Sequence, residues 1–457
     1  MAIMNSRKPH VLAVPFAAQG HVKPLMKLSR QIAKHGIKVT FVNIESVHEQ
    51  IVSAAKKSDE QDEDEDEEDN IAMTSIPDGI SSEDDKSDTF KLLESLRSTM
   101  PGFLTDLIER INSSNGDEKI SCVIADVTIG WILETAEKMG AEPVVFMPSS
   151  AAALAMALHI PKLLEEGSLD ENGTITRGET ISLSDNIPVW TKNELCWSVS
   201  NDLKIQKIFF DCTSRFQKAA HQTKLFLCNT SQELESSACN LFPNLLPIGP
   251  LLDPKAPKSS SISCNFHPED ESCISWLSNK PSKSVIYVSF DELALGLELS
   301  GRAFLWVVRS DLANGSPVVY PNGFLERVSE FGKIVQWAPQ EKVLSHGSVG
   351  CFMSHCGWNS TLEGLSNGVP FLCWPYFVDQ YHNRNYVCDK WGIGLRIYSD
   401  ENGIRTRYEI KKKIDMVFCD DELKGNALKM KEICEKSVGE GGSSYRNFET
   451  FVDRLRK

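Results

Sequence analysis

Two places in this 457-residue chain hold residue types whose spacing could do chemistry. The first is His21. It follows a short apolar strand, His10 to Phe16, and a small-residue loop, Ala17-Ala18-Gln19-Gly20, and it precedes a helical stretch from Val22 to His35. A helix N-terminus disfavours imidazolium, so a histidine there tends to stay neutral and can accept a proton. On the residues alone, a solvent-exposed histidine in a glycine loop is the plainer reading. The second place runs from Trp337 to Gln380. Val349 to Ser354 is a buried-looking strand that stops at His355, and Gly357 breaks the run. Asn359, Ser360 and Thr361 offer N-cap chemistry for a helix from Leu362 to Asn367. Gly368 and Pro370 stop that helix, and Val369 to Trp374 reads as the next buried strand. This is a βαβ unit whose first turn presents backbone N–H groups, a natural seat for a phosphate or diphosphate.

These residues need a framework to hold them. Leu25, Met26, Leu28, Ile32 and Ala33 give the first helix an apolar stripe, with Pro24 tolerated in the first turn and Gly36 closing it. Lys38 to Asn43 is the next strand, so the chain opens as a parallel sheet covered by helices. Its first loop lacks the G-x-G-x-x-G fingerprint, which counts against nicotinamide or flavin binding. Ser121 to Ala125 is a buried strand ending in Asp126, followed by a helix near Trp131 to Met139, a strand at Val144 to Met147 and an Ala-rich helix from Ser149 to Leu164. Residues 165 to 205 are loop-rich and carry no recognisable chemistry. Lys224 to Cys228 is a strand, and Asp253 to Ser263, rich in Pro, Lys and Ser, reads as a linker. The second half restarts the pattern with strands at Ser284 to Phe290 and Phe304 to Val308, then the stretch above, and helices near Asn383 to Lys390, Arg407 to Val417, Leu423 to Lys436 and Tyr445 to Lys457. The expectation is two doubly wound α/β domains, 1–250 and 270–440, joined by a linker at 251–269, with a last helix at 441–457 that braces the first domain.

Composition narrows the partners. The formal charge is −15, but Asp59 to Asp69 supplies ten carboxylates without a base, and the remainder sits near −5. That run should be disordered and solvated. No basic stretch offers a nucleic-acid footprint. Asp62-Glu63-Asp64 has a metal-binding D-x-D spacing, which chance explains inside a low-complexity acidic loop. His355 and Cys356 near Cys351 lack a second ligand pair for zinc, so no metal site is expected. Thirteen cysteines without a CxxC pair fit a reducing compartment. The N-terminal apolar run is too short for a signal peptide and no stretch could span a bilayer, so a cytoplasmic protein is expected; a monomer is expected as well. His346, His382 and Cys373 read as structural.

The 44-residue segment Trp337 to Gln380 resembles the donor-binding box of plant UDP-dependent glycosyltransferases that modify small secondary metabolites. The match runs from Trp337, Pro339 and Gln340 through His355-Cys356-Gly357-Trp358-Asn359-Ser360 and Glu363 to Asp379-Gln380. The resemblance implies the GT-B fold, two facing Rossmann-like domains, with a UDP-sugar as donor substrate, no metal, and a small lipophilic acceptor. It places Trp337 on uracil, with Ala338 and Gln340 at the nucleoside. His355, Gly357, Trp358, Asn359 and Ser360 meet the diphosphate, Glu363 the ribose hydroxyls, and Asp379 and Gln380 the hexose. A final Gln is the family's usual mark of glucose over galactose. Gly20-His21-Val22-x-Pro24 matches the family's base position, so the resemblance makes His21 the general base of an inverting transfer and Asp126 the carboxylate that orients it.

One departure stands out. Strand Ser284 to Phe290 runs straight into Asp291, where family members place a Gly-Ser pair, a loop and the first helical turns. The missing insert, on the order of a dozen residues, leaves only a short crossover. It also removes one of two phosphate-facing loops, which should weaken donor affinity and leaving-group stabilisation. The alternative expectation is therefore an impaired or non-catalytic paralogue or splice form that keeps the fold.

Overall fold

The computed structural model describes residues 8–57, 70–80, 89–114, 118–200, 202–252, 264–289, 293–308 and 320–457. The acidic run Asp59 to Asp69 with its D-x-D, the linker Asp253 to Ser263 and the Phe290–Asp291 junction lie outside these residues.

The strands in chain order are β1 (His10–Val14), β2 (Lys38–Ile44), β3 (Ile71–Ile76), β4 (Cys122–Asp126), β5 (Glu142–Met147), β6 (Thr180–Ile181), β7 (Trp190–Thr191), β8 (Phe226–Cys228) and β9 (Leu245–Pro247). They continue as β10 (Val285–Val288), β11 (Phe304–Val307), β12 (Gly332–Val335), β13 (Val349–Ser354), β14 (Phe371–Cys373) and β15 (Gly394–Arg396). The chain separates into two compact units. One contains a seven-stranded sheet in the order β3-β2-β1-β4-β5-β8-β9, the other a six-stranded sheet in the order β12-β11-β10-β13-β14-β15. Every pairing within these two sheets is parallel. Parallel strands covered on both faces need continuous apolar runs, and β1, β4 and β13 are buried at every position.

In each sheet the strand order reverses once, between β1 and β4 in the first and between β10 and β13 in the second. Crossovers leave such neighbouring strands in opposite directions, which opens a crevice at their carboxyl ends. His21 follows β1 and Asp126 ends β4, while His355 to Ser360 follow β13. His21, Asp126 and His355 to Ser360 therefore sit at switch points, while Trp337 to Gln340 follow β12 and Asp379-Gln380 follow β14.

Several elements depart from the sequence expectation. The first helix runs Gln19–Lys34, so His21 lies in its first turn and Pro24 falls inside it, with no N–H to offer the Gly20 carbonyl. The strand β12 was not expected. Residues 173–206 group with the second unit, while 437–457, whose last helix was expected to brace the first domain, group with the first. The last helix, Ser443–Leu455, lies against β9: Ser444 Oγ donates to the Gly249 carbonyl at 2.6 Å and Asn447 Nδ2 to the Pro247 carbonyl at 2.8 Å.

The helix after β10 is only Ala294–Ser300, about 10 Å long at 1.5 Å per residue, yet it still covers its sheet. Leu297 is fully buried against a core that includes Ile286, Phe304, Trp306, Met353 and Ile414. Gly296 lets this helix approach helix Arg407–Cys419 closely, since a Cβ there would lie 2.6 Å from Ile410.

Candidate donor site and catalytic pair

In the first unit, His21 and Asp126 meet. Nδ1 of His21 lies 2.7 Å from Oδ2 of Asp126, whose side chain is wholly buried, while the histidine side chain is 30% exposed. The other carboxylate oxygen of Asp126 accepts the Thr128 N–H at 2.8 Å, so the carboxylate also caps the 3-10 turn Val127–Ile132. Strand-end cap and histidine partner are thus one arrangement, not two alternatives. A carboxylate only accepts, so Nδ1 must carry the hydrogen, and the lone pair of the neutral ring falls on Nε2. Phe16 packs edge-on to the ring, with centroids 5.3 Å apart.

In the second unit the predicted donor residues gather at the carboxyl end of β13. The helix there is Trp358–Ser366, beginning earlier than the Leu362 expected, and its N-cap is Gly357 without a side-chain cap bond. A Cβ at Gly357 would lie 2.5 Å from Nε2 of His355, so glycine lets the imidazole lie close to the turn. Asn359 and Ser360 belong to the first helical turn. Cys356 adopts φ 65°, its N–H donating to Ser354 Oγ at 3.0 Å.

Glu363 is buried and accepts Nε2 of Gln340 at 2.6 Å; the same nitrogen reaches Ser360 Oγ at 2.9 Å. Gln340 in turn accepts from the Tyr287 hydroxyl at 3.2 Å. Sequence reasoning missed Tyr287, because a tyrosine inside a buried strand reads as core. Trp337 is half-buried and its carbonyl accepts the Asp270 N–H, while Ala338 is buried beneath it. Asp379 stands at the N-cap of helix Gln380–Asn385. Gln380 turns its Oε1 back onto the N–H groups of Tyr376 and Phe377 at 3.0 and 3.1 Å, which leaves its amide nitrogen as the group it can offer a ligand. Arg405 stacks over Trp374 at 4.5 Å beside this loop.

The segment 173–206 clasps the same helix from another side. The ring of His382 stacks on Trp190, with centroids 3.9 Å apart and planes 2° from parallel, and its Nε2 bonds the Pro188 carbonyl at 2.8 Å. Burial pulls its pKa down to about 4. Arg384 and Asn385 hold Glu194, and Arg396 holds Asp389. A cavity of about 320 Å³ between residues 185–194 and Asn385–Arg396 includes none of the predicted site residues, and these ion pairs already neutralise much of its charged wall. His346, bonded to Ser348, and the buried Cys373, 3.7 Å from Cys388 Sγ to Sγ, contribute packing.

Among the described residues, no three His, Cys, Asp or Glu side chains converge as a metal-holding group, and no helix is long and apolar enough to cross a membrane.

The chain thus has two parallel doubly wound units, one with a glycine-capped helix N-terminus after its central strand and the other with a histidine bonded to a buried carboxylate. The family model for UDP-glucoronosyl and UDP-glucosyl transferase matches residues 26–437. The chain belongs to this family, and it has the GT-B fold of its plant members. It is 40% identical to UDP-glycosyltransferase 83A1 of Arabidopsis thaliana, covering 98% of this chain and 97% of the relative. It is 31% identical to 7-deoxyloganetin glucosyltransferase of Catharanthus roseus, covering 99% and 97%. The crystal structure of Os79 from O. sativa in complex with UDP superimposes with TM-score 0.79 and 25% identity, over 97% of this chain and 100% of that one. The chain is thus a UDP-glycosyltransferase that moves sugar from a UDP-sugar donor to an acceptor.

Proposed function

We propose that this enzyme transfers glucose from UDP-glucose to a hydroxyl of a small lipophilic acceptor, with inversion and with His21 as general base. The observation that carries the reading is the 2.7 Å bond between His21 Nδ1 and the buried Asp126 carboxylate. It leaves Nε2 as the proton acceptor and supplies a counter-charge for the imidazolium that forms. In the step, the acceptor O–H gives its proton to Nε2 and its oxygen bonds the anomeric carbon. The bond from that carbon to the phosphate oxygen breaks, and UDP leaves with the electron pair.

On the donor side, Trp337 stacks on uracil, with Ala338 and Gln340 at the nucleoside, and Glu363 accepts from the ribose hydroxyls. His355 and the turn from Gly357 to Ser360 hold the diphosphate at a helix N-terminus. Asp379 and the Gln380 amide nitrogen hold the hexose. Glucose is supported by Gln380 and by the name of the 7-deoxyloganetin relative. The few residues that the sequence leaves between Val288 and Ala294 support a donor affinity lower than a longer phosphate loop would give.

The test is a transfer assay with radiolabelled UDP-glucose against a panel of phenolic, terpenoid and aliphatic alcohols, beside calorimetric titration of UDP-glucose. Label should appear in a glycoside, and His21→Ala should lower turnover by about 10²–10⁴-fold with donor affinity retained. Unchanged turnover in His21→Ala would overturn the base assignment. No binding at millimolar UDP-glucose would overturn the donor.

A further inference from the structure

Asn383 was not among the residues that the sequence singled out, yet it lies wholly buried on helix Gln380–Asn385. Its Nδ2 is 3.0 Å from Oδ2 of Asp379 and 3.0 Å from the carbonyl oxygen of Cys356. Both neighbours are acceptors only, so the amide must turn its NH₂ toward them, and both protons are committed. Its Oδ1 is buried without a partner. An unpaired buried oxygen is a net cost, and a leucine of similar size would fill the same place without it. What the amide supplies in return is a pair of donors aimed at two different parts of the donor site.

Each part needs holding. Cys356 sits at φ 65°, in the left-handed region that side chains disfavour, and it sets the entry to helix Trp358–Ser366. Ser354 Oγ takes its N–H and Asn383 takes its carbonyl, so the turn is pinned from both sides. Asp379 occupies the N-cap of helix Gln380–Asn385 but makes no side-chain cap bond. An aspartate at that position ordinarily turns onto the N–H groups of its own helix. The bond from Asn383 gives one carboxylate oxygen a partner on the side of the Cys356 turn instead.

We infer that Asn383 is a positioning residue for donor binding: it joins the hexose-facing carboxylate of Asp379 to the phosphate-facing turn at Cys356 as one preformed surface. This rests on the donor-site reading above and deepens it.

The experiment compares full-length wild type, N383A and N383D, each also in a D379A background, by calorimetric titration with UDP-glucose and with UDP. Wild type should bind both ligands. N383A should weaken UDP-glucose about tenfold, the loss of one hydrogen bond to a charged group. N383D is isosteric but sets a carboxylate against Asp379 and the Cys356 carbonyl, so it should bind more weakly than N383A at pH 7.5. It should recover at pH 5.5, where two adjacent carboxyls share a proton. In the D379A background, N383A should no longer change the ratio of UDP-glucose to UDP affinity. If N383D binds like wild type, or if the effects of N383A and D379A on that ratio simply multiply, Asn383 only packs and the inference falls. Should the alanine variant fail to fold, the weaker binding of the isosteric N383D than of wild type at pH 7.5 and its recovery at pH 5.5 decide the matter alone. If wild type binds neither ligand, the donor-site reading itself fails, an outcome distinct from the other two.

Discussion

Asp126 divides its two oxygens between a backbone N–H and an imidazole, and this division makes it informative. An isosteric amide could retain the Thr128 bond only by turning its NH₂ toward His21. The imidazole would then have to accept at Nδ1 and carry its proton on Nε2, the wrong tautomer for a base. Asp126→Asn should therefore lower turnover by about 10²–10⁴-fold while UDP-glucose affinity stays within a few-fold, as steady-state kinetics beside calorimetry would show. An equal loss in both would mean the residue supports the fold instead. On residue type alone His21 and Asp126 each have an ordinary explanation, and it was the stretch Gly20-His21-Val22-x-Pro24 that singled out the histidine. Their bond across 105 residues adds a partner to the histidine without removing the cap that Asp126 makes to Thr128. Tyr287 and Asn383 were illegible for the opposite reason. Their types and positions read as core and helix filler, and only the direction of one hydroxyl and one amide gives them a place in the site.

Among the elements, the segment 173–206 has the least readable packing. It is nearly without regular structure, yet Trp190, Pro188 and Glu194 grip the helix that follows Asp379. This grip should be sensitive to acid. His382 is neutral in the fold, with its pKa lowered from 6.5 to about 4 by burial. Between those values the unfolded chain binds the proton and the folded chain does not, so stability rises with pH across the window and is lost as pH falls from about 6.5 toward 4. The loss should reach on the order of 3 kcal/mol at its lower end. Hydrogen exchange of residues 185–194 and 380–390 against pH would measure it. His382→Phe keeps a ring on Trp190 without a titrating group and should flatten the slope; an unchanged slope would assign the acid sensitivity elsewhere. Helix boundaries illustrate a related limit. Propensity favours Asn359 or Ser360 as the N-cap, but the helix begins at Trp358 with Gly357 as its N-cap.

For the whole molecule, the consequence of two units is that donor contacts are assigned to one of them. UDP at about a hundred times its Kd should stabilise that unit by about 2.7 kcal/mol. Exchange protection should then rise across 337–380 more than across β1 and β2, and equal protection everywhere would argue against a donor site confined to the box. The amino-acid sequence by itself determined the parallel α/β character of both halves, because period and turn residues are local. It also pointed to the family, because the stretch from Trp337 to Gln380 is contiguous and its residue types need no distant partner to be recognised. Tertiary structure decided which strands flank each crevice, since the pairing of β1 with β4 and of β10 with β13 is a choice among many equally apolar strands. It decided too that Asp126 faces His21, that Gly357 caps helix Trp358–Ser366, and that Asn383 aims both its protons at Asp379 and Cys356. Those are matters of direction and distance between residues far apart in the chain, set only once the surrounding side chains have packed.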